Sequence, residues 1–424
     1  MRFDAANLGR LATDRSLWAD FIALCDCGGR LAGTESERRA LAFLEARGEE
    51  ATGRPAQRLP VPYGGWSCRD CSLLMLGDGG FEVPCHPLVR TVSTPPDGLA
   101  AEVVDLGRGT AEEFAAQADE IGGRVVLVRH EYMFAAGHLH RRRKYQWARE
   151  YGAQGFLIAS PLPGCGPVAG SSGREGPDGI PAAGIGYEAA ARLASGAGPA
   201  PRVRLRIDTV EAPSTTETLV FDMPGRTDEL VVLSAHLDGH DLAESAIDNA
   251  SGVAVALAVA RALAPVAARF RRGLRLCLFS VEEWALTGSR HYVDGLPQQE
   301  RERIVLNVNL DSVGGSSRLA ALTSGFAGLA GFLRGAAAAC GRDLRIYRPM
   351  MRNSDHANFA EASIAAVRLV AGFDDPGSNL RFVLTPADTR DKVAPAELLS
   401  AALLALTIVS MACEAPEETI RSLY

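Results

Sequence analysis

The chain has no apolar stretch at its start. The opening residues, MRFDAANLGRLATDRSLW, are interrupted by charge and offer no h-region, so no secretory signal is expected. No run is read as approaching the roughly 20 apolar residues that a bilayer-spanning helix needs, so no membrane partner is expected. Positive charge is not in excess. Lys and Arg number 44 against 51 Asp and Glu, a formal net charge of −7. That balance removes the electrostatic reason to bind nucleic acid or an anionic surface. The nine cysteines are odd in number and scattered. Together with the missing signal they predict reduced thiols and a cytoplasmic location. Cys68 and Cys71 form one CxxC, but no second ligand pair at a suitable spacing accompanies it, so no structural zinc is assigned there. Short-period repeats and low-complexity tails are lacking too.

What is present is a chain of 424 residues with 47% hydrophobic and 22% charged residues, enough for two domains or one large domain carrying an insertion. Residues 1–66 read as mainly helical, with apolar positions at helical spacing in SERRALAFLEARGEE. The glycine-rich CGGRLAGT before that helix lacks the Lys-Ser/Thr ending of a phosphate loop. LPVPYGGWSC, from Leu59, reads as a proline- and glycine-rich crossing. Residues 67–208 alternate short strand-like runs (CSLLML, AEVVDLG, GRVVLVR, GFLIA, RVRLRI) with turns and two helical segments, as a β-rich inserted module would. Within it, the basic cluster His138 to Lys144 reads as the solvated face of a helix. Residues 209–424 alternate strands (LVVLSA, LRLCLFS, IVLNVNL, RLAALTS, AAVRLVA) with helices, and ELLSAALLALTIVSMACE is a long apolar helix. The fold class expected is α/β, a mixed, mostly parallel sheet sandwiched by helices.

The chemistry concentrates at strand ends. The buried run Leu230–Leu233 leads into His236, Asp238, His240, Asp241, Glu244, Asp248 and Asn249, after which SGVAVALAVARAL reads as a core helix capped by Asp248 or Asn249. Three more strand-like runs border acidic or imidazole groups: Glu282 and Glu283 after CLFS, Asp311 after IVLNVNL, and Ser354, Asp355 and His356 before AAVRLVA. Neighbouring carboxylates at a strand end allow one to bind a metal while the other takes a proton from water, the division that metal-assisted hydrolysis needs.

The ordered segments HLD, AIDNASG, SVEEWALTGSRHYV, NLDSVGG, SDHANF and TPADTRDKV resemble the M28 family of zinc peptidases. The middle segments GRVVLVR, KYQWAREYGAQGFLIAS and GIPAAGI resemble a protease-associated (PA) domain, an insertion that some aminopeptidases and carboxypeptidase Q-like members carry. CGGRLAGTESERRALAFL resembles the family's N-terminal helix region. The resemblance implies an aminopeptidase-like α/β fold, with His236 and Asp311 on a first zinc, Asp248 bridging, Glu283 on a second zinc, and Glu282 as general base. It implies Asp238 as the carboxylate that orients His236 through its Nδ1–H. The departure is Leu384, which stands where the family places the second-site histidine. His240, His291 and His356 are the candidates to replace it. The expectation is one firm zinc site, with a second weak or absent, cleaving a peptide or small amide near a chain end. A single-zinc acyl-transfer or cyclisation enzyme resembling glutaminyl cyclase, and a non-catalytic relative, are the alternatives. Trp284 and Cys277 read as packing residues, and Arg352 as a possible partner for a substrate carboxylate. The oligomeric state stays open.

Overall fold

The computed structural model describes residues 5–77, 80–194 and 200–424. It divides into two compact units. The first runs to Tyr63 and resumes over Thr215–Val383 and Asp388–Tyr424; the second comprises Gly64–Ser214 and Leu384–Ala387.

The first unit is built around Leu230–His236, a strand buried at every position. Burial on both faces is what a continuous apolar, β-branched run provides. It has a parallel partner on each side. Gly273–Phe279 places Phe279 opposite His236, and Ile304–Leu310 places Asn309 opposite Ser234. Beyond Ile304–Leu310 the sheet continues through Ala366–Ala371 in parallel, Leu319–Leu322 in antiparallel and Arg345–Tyr347 in parallel pairing. Beyond Gly273–Phe279, residues 219–223 of the strand Arg202–Met223 pair antiparallel. The chain leaves Leu230–His236 for one neighbour and later returns to the other side. Such a reversal opens a crevice at the carboxyl ends of the strands.

Helices Ser16–Asp26, Glu35–Thr52, Ser251–Leu263 and Pro395–Glu414 pack together over this sheet. Glu35–Thr52 is capped by Thr34, whose side chain accepts from Glu37 N, and ends at Gly53 with φ of 64°. The expectation that no apolar run is long enough to span a bilayer is corrected here. Ala246–Arg269 and Pro395–Glu414 pass that test by length and composition, but 78% and 61% of their apolar windows are buried inside the protein. Each is a core helix, apolar because it is covered on most sides.

Two further expectations shift. Leu59–Cys68 is not a crossing loop but part of the strand Gln57–Leu76. Its prolines, Pro60 and Pro62, alternate with buried Val61 and Tyr63 and point outward, where proline is tolerated. The strand starting at Arg202 does not stop near Asp208 but continues to Met223.

In the second unit, residues 202–205, Leu99–Asp105, Val125–Arg129, Gly155–Ala159, Ala182–Ile185 and Cys85–Pro87 lie side by side, with the inner pairs parallel and both outer pairs antiparallel. Val125, Leu127, Leu157, Ile185 and Leu205 form its core. Arg141 and Lys144 do not form a solvated face. Both are buried: Lys144 Nζ donates to Arg129 O and Glu131 Oε1, and Arg141 Nε donates to Ser171 O.

Candidate metal centre

The first unit brings donor groups to the carboxyl ends of three adjacent parallel strands. His236 is the last residue of its strand, Glu282 follows Gly273–Phe279 by three positions, and Asp311 directly follows Ile304–Leu310. One ligand atom from each of His236, Glu282 and Asp311 lies within 4.8 Å of the other two, and all three residues are buried. His236 Nε2 is 3.1 Å from Asp248 Oδ1 and 3.6 Å from Asp311 Oδ1. Asp248 is the more open of these, its side chain 13% exposed.

His236 Nδ1 lies 3.0 Å from the main-chain carbonyl of Asp238, but 3.7 Å from its carboxylate. The expected carboxylate–imidazole contact is therefore made by a carbonyl. It has the same consequence: an Nδ1–H donated there directs the Nε2 lone pair toward Asp248 and Asp311. The Asp238 carboxylate is used elsewhere. It accepts the backbone N–H of Glu282 and of Glu283, each at 3.1 Å, and so fixes the turn that carries both glutamates. That turn is strained. Val281, Ala285 and Leu286 sit at φ of 51°, 66° and 62°. For a β-branched valine this is a true outlier, and each such residue costs on the order of 1–3 kcal/mol.

Asp248 is held by its own neighbours. Asp388 Oδ1 and Oδ2 accept from the N–H of Ile247 and Asp248. Asn249, rather than Asp248, serves the following helix: its Oδ1 accepts from Gly252 N, and its Nδ2 donates to Leu310 O. The side chain of Asp248 is thereby left to face His236.

The sequence analysis missed what holds the loop between His236 and Asp248. Arg30 is fully buried. Its Nε donates to Leu237 O, Nη1 to Leu24 O, Gly28 O and Glu244 O, and Nη2 to Ser245 O. A Cβ on Gly29 would lie 1.8 Å from His240 O, so the backbone there approaches to a distance that only glycine permits. The Gly-Gly-Arg of the glycine-rich turn was the available signal. Glu37 adds a second tie, accepting the hydroxyls of Thr216 and Ser280 and the N–H of Gly33. Arg30→Met is expected to destabilise the protein by about 3–5 kcal/mol in denaturant titrations, because five carbonyls lose one buried donor group. Arg30→Lys should recover less than half, since an ammonium has three donors without the planar fork. A loss below ~1 kcal/mol for Arg30→Met would show that the clamp is dispensable.

The electrostatics are those of a crowded acidic site. Burial, together with Glu283, Asp355 and Asp311, holds the Glu282 carboxyl well above the usual carboxylate range despite His236. Burial and the charges of Asp311 and Glu283 push Asp248 up. Burial would lower His236, but Glu282 and the hydrogen-bonding carboxylates overcome it and hold the imidazole well above its ordinary value. Asp311 goes the other way: burial opposes ionisation, yet Arg368, 3.1 Å from its Oδ1, and His236 pull it down. Asp388 is pushed up to about 7, chiefly by burial.

The remaining candidates separate by position. His240 is buried, with Nε2 2.8 Å from Glu283 Oε2. His291 is exposed on the helix Thr287–Gly295. His356 begins the helix His356–Glu361 and is pushed down to about 3 by burial and Arg368. Trp284 packs edge-on against Tyr63 with centroids 5.7 Å apart. Arg352 is exposed and pairs with Glu361. Cys277 is buried on its strand. Leu384 groups with the second unit, where its carbonyl accepts from Ala169 N.

Comparison with known proteins agrees with this architecture. Residues 218–409 match the profile of peptidase family M28, and residues 87–193 that of the PA domain. Aminopeptidase YwaD of Bacillus subtilis (strain 168) is 26% identical over 383 residues, 88% of this chain and 79% of that protein. Carboxypeptidase Q of Bos taurus is 25% identical over 281 residues, 62% of this chain and 58% of its own length. Among solved structures, BSAP, a zinc aminopeptidase from Bacillus subtilis, has a TM-score of 0.75 at 23% identity, covering 96% of this chain and 97% of that one. A peptidase M28 precursor from Shewanella amazonensis SB2B has a TM-score of 0.79 at 20% identity, covering 96% and 95%. At these identities the two structures establish the fold.

Proposed function

We infer, from a chain that carries a peptidase family M28 domain and a PA domain, that this protein is a metal-dependent peptidase that uses zinc and cleaves a peptide or related amide bond near a chain end. One observation carries the site assignment: buried donors of His236, Glu282 and Asp311 lie within 4.8 Å of one another at the carboxyl ends of adjacent parallel strands. The donor set fits a divalent cation. Asp248, Glu282, Glu283 and Asp311 crowd four carboxylates into one region, where His236 meets Asp248 and Asp311, Arg368 meets Asp311 and His240 meets Glu283. An imidazole plus carboxylates is an accepted zinc ligand set.

His236, Asp311 and Asp248 would hold the firm zinc position, and Glu283 a weaker second one that lacks the family histidine at Leu384. Zinc, when bound, supplies a Lewis acid that polarises the scissile carbonyl and makes water more acidic. Glu282 takes the proton of the attacking water and delivers it to the leaving nitrogen. Asp238 keeps Glu282 and Glu283 in place through their backbone N–H groups. The odd number of cysteines, nine, is what supports a reducing, cytoplasmic setting.

The test is metal analysis by mass spectrometry together with hydrolysis of short peptides whose amino or carboxyl end is blocked. The expected result is one tightly held zinc per chain and cleavage that a chelator abolishes and zinc restores. Two tightly held zincs would overturn the single firm site. A zinc-loaded protein that cleaves no peptide, but releases ammonia from an N-terminal glutamine, would replace hydrolysis with cyclisation.

A further inference from the structure

We propose that His240 supplies the imidazole of the second cation position, together with Glu283 and with Asp248 between the two positions. This rests on the peptidase reading above. It concerns a residue in a different loop from the one where the family pattern places its histidine.

Three observations support it. The first is contact: His240 Nε2 is 2.8 Å from Glu283 Oε2, and both side chains are buried, 4% and 8% exposed. Two ligands of a tetrahedral zinc with bonds of about 2.0–2.2 Å stand roughly 3.3 Å apart, so about half an ångström of opening admits an ion. The second is the construction of the loop. His240 N donates to Ser245 Oγ, and Ser245 Oγ donates to His240 O. Arg30 holds the carbonyls of Leu237, Glu244 and Ser245, and Gly29 lies against His240 O. Such over-determination fixes where the imidazole points, as a ligand position requires. The third is the location of Asp248. Its Oδ1 faces His236, and Asp388 holds the backbone N–H groups of Ile247 and Asp248, which presents the carboxylate beside the first position.

The competing imidazoles fail on position. His291 is exposed on its helix, and His356 is buried against the positive charge of Arg368. The Asp311 side carries Arg368 already, which leaves the Glu283 side as the place for a further cation. The site built from His240 has fewer firm ligands than the one built from His236. It is therefore the weaker of the two and fills only when metal is in excess.

The experiment uses the full chain, stripped with a chelator and titrated with Zn2+ and, separately, with Co2+. Bound metal is counted by mass spectrometry after desalting and by calorimetry, and cobalt coordination is followed by visible absorption. Wild type should bind one tight equivalent and a second weaker one. His240→Ala should keep the tight equivalent and lose the weak one, with an affinity drop exceeding the 10–100-fold that loss of an outer-shell partner costs. His240→Gln, which keeps the volume and a polar group, should do the same and guards against a folding defect in the alanine variant. Binding of a single equivalent by wild type at saturating metal would overturn the proposal. So would an unchanged weak equivalent in both variants. If wild type binds one equivalent and still cleaves peptide, only the role of His240 falls. If it binds none, the peptidase reading falls with it.

Discussion

Glu282→Gln is expected to lower kcat by about 10²–10⁴-fold, the usual contribution of a general base, while zinc content and stability stay near wild type. The amide fills the same space and keeps the backbone N–H that Asp238 accepts, so the turn survives. It cannot take a proton from water. The carboxyl that it replaces lies close to His236 and Asp311, where a nucleophile between them would be within reach. Glu283→Gln should behave differently. Its partner is His240, so that change should reduce binding of the second metal equivalent more than it reduces the chemical step. Steady-state kinetics with metal counts on the same preparations separate the two. A Glu282→Gln protein that retains activity within threefold would remove the base role altogether.

Removing the metal should cost stability, and the cost should grow with pH. His236, Asp248, Glu282, Asp355 and Asp388 all have folded values above their ordinary ones, with Asp355 and Asp388 at about 7. A group raised in this way binds its proton more tightly in the folded state. Its stabilising contribution is complete below the unfolded value, near 4 for a carboxylate, and disappears as pH rises through the folded value. Above the ordinary imidazole value the metal-free protein should therefore lose stability as pH rises to about 8; below it, His130, His138, His140 and His356, which burial holds neutral, act in the opposite sense. A shift of roughly three units is on the order of 4 kcal/mol for Asp388 alone, and the groups are too close for such figures to add. Zinc reverses the trend, since it binds the deprotonated ligands and releases their protons. At a free concentration a thousandfold above its dissociation constant it should add about 4 kcal/mol. Denaturant titrations at pH 6.5 and 8, with chelator or with zinc, measure all four states. A metal-free protein more stable at pH 8 than at pH 6.5 would contradict this account of the buried carboxyls.

The runs Leu230–His236, Gly273–Phe279 and Ile304–Leu310 were legible because strands buried on both faces must be apolar and β-branched throughout, whatever surrounds them. The donor types were legible for a related reason. His236, Glu282, Asp311 and their neighbours stand where apolar runs end, and clustered polar groups beside buried strands are costly unless they have work to do. The strand through Leu59–Cys68 was not legible, because its prolines read as a break until the alternation with buried Val61 and Tyr63 is seen in three dimensions. The two long apolar helices were legible as helices, and SGVAVALAVARAL as a core one; only their length was underestimated, and the packing around them shows that they are covered.

What the amino-acid order determined alone is the set of strands, their alternation with helices, and the kinds of side chain that follow them. Only the tertiary structure decided which of those side chains meet. It gave the Asp238 carboxylate to two backbone N–H groups and its carbonyl to His236, set Arg30 under the loop, turned His240 toward Glu283, and left His291 in solvent. The reason is physical. Strand and helix propensities act over a few neighbouring residues, whereas these contacts join positions tens to hundreds of residues apart and exist only once the sheet has placed the strand ends side by side.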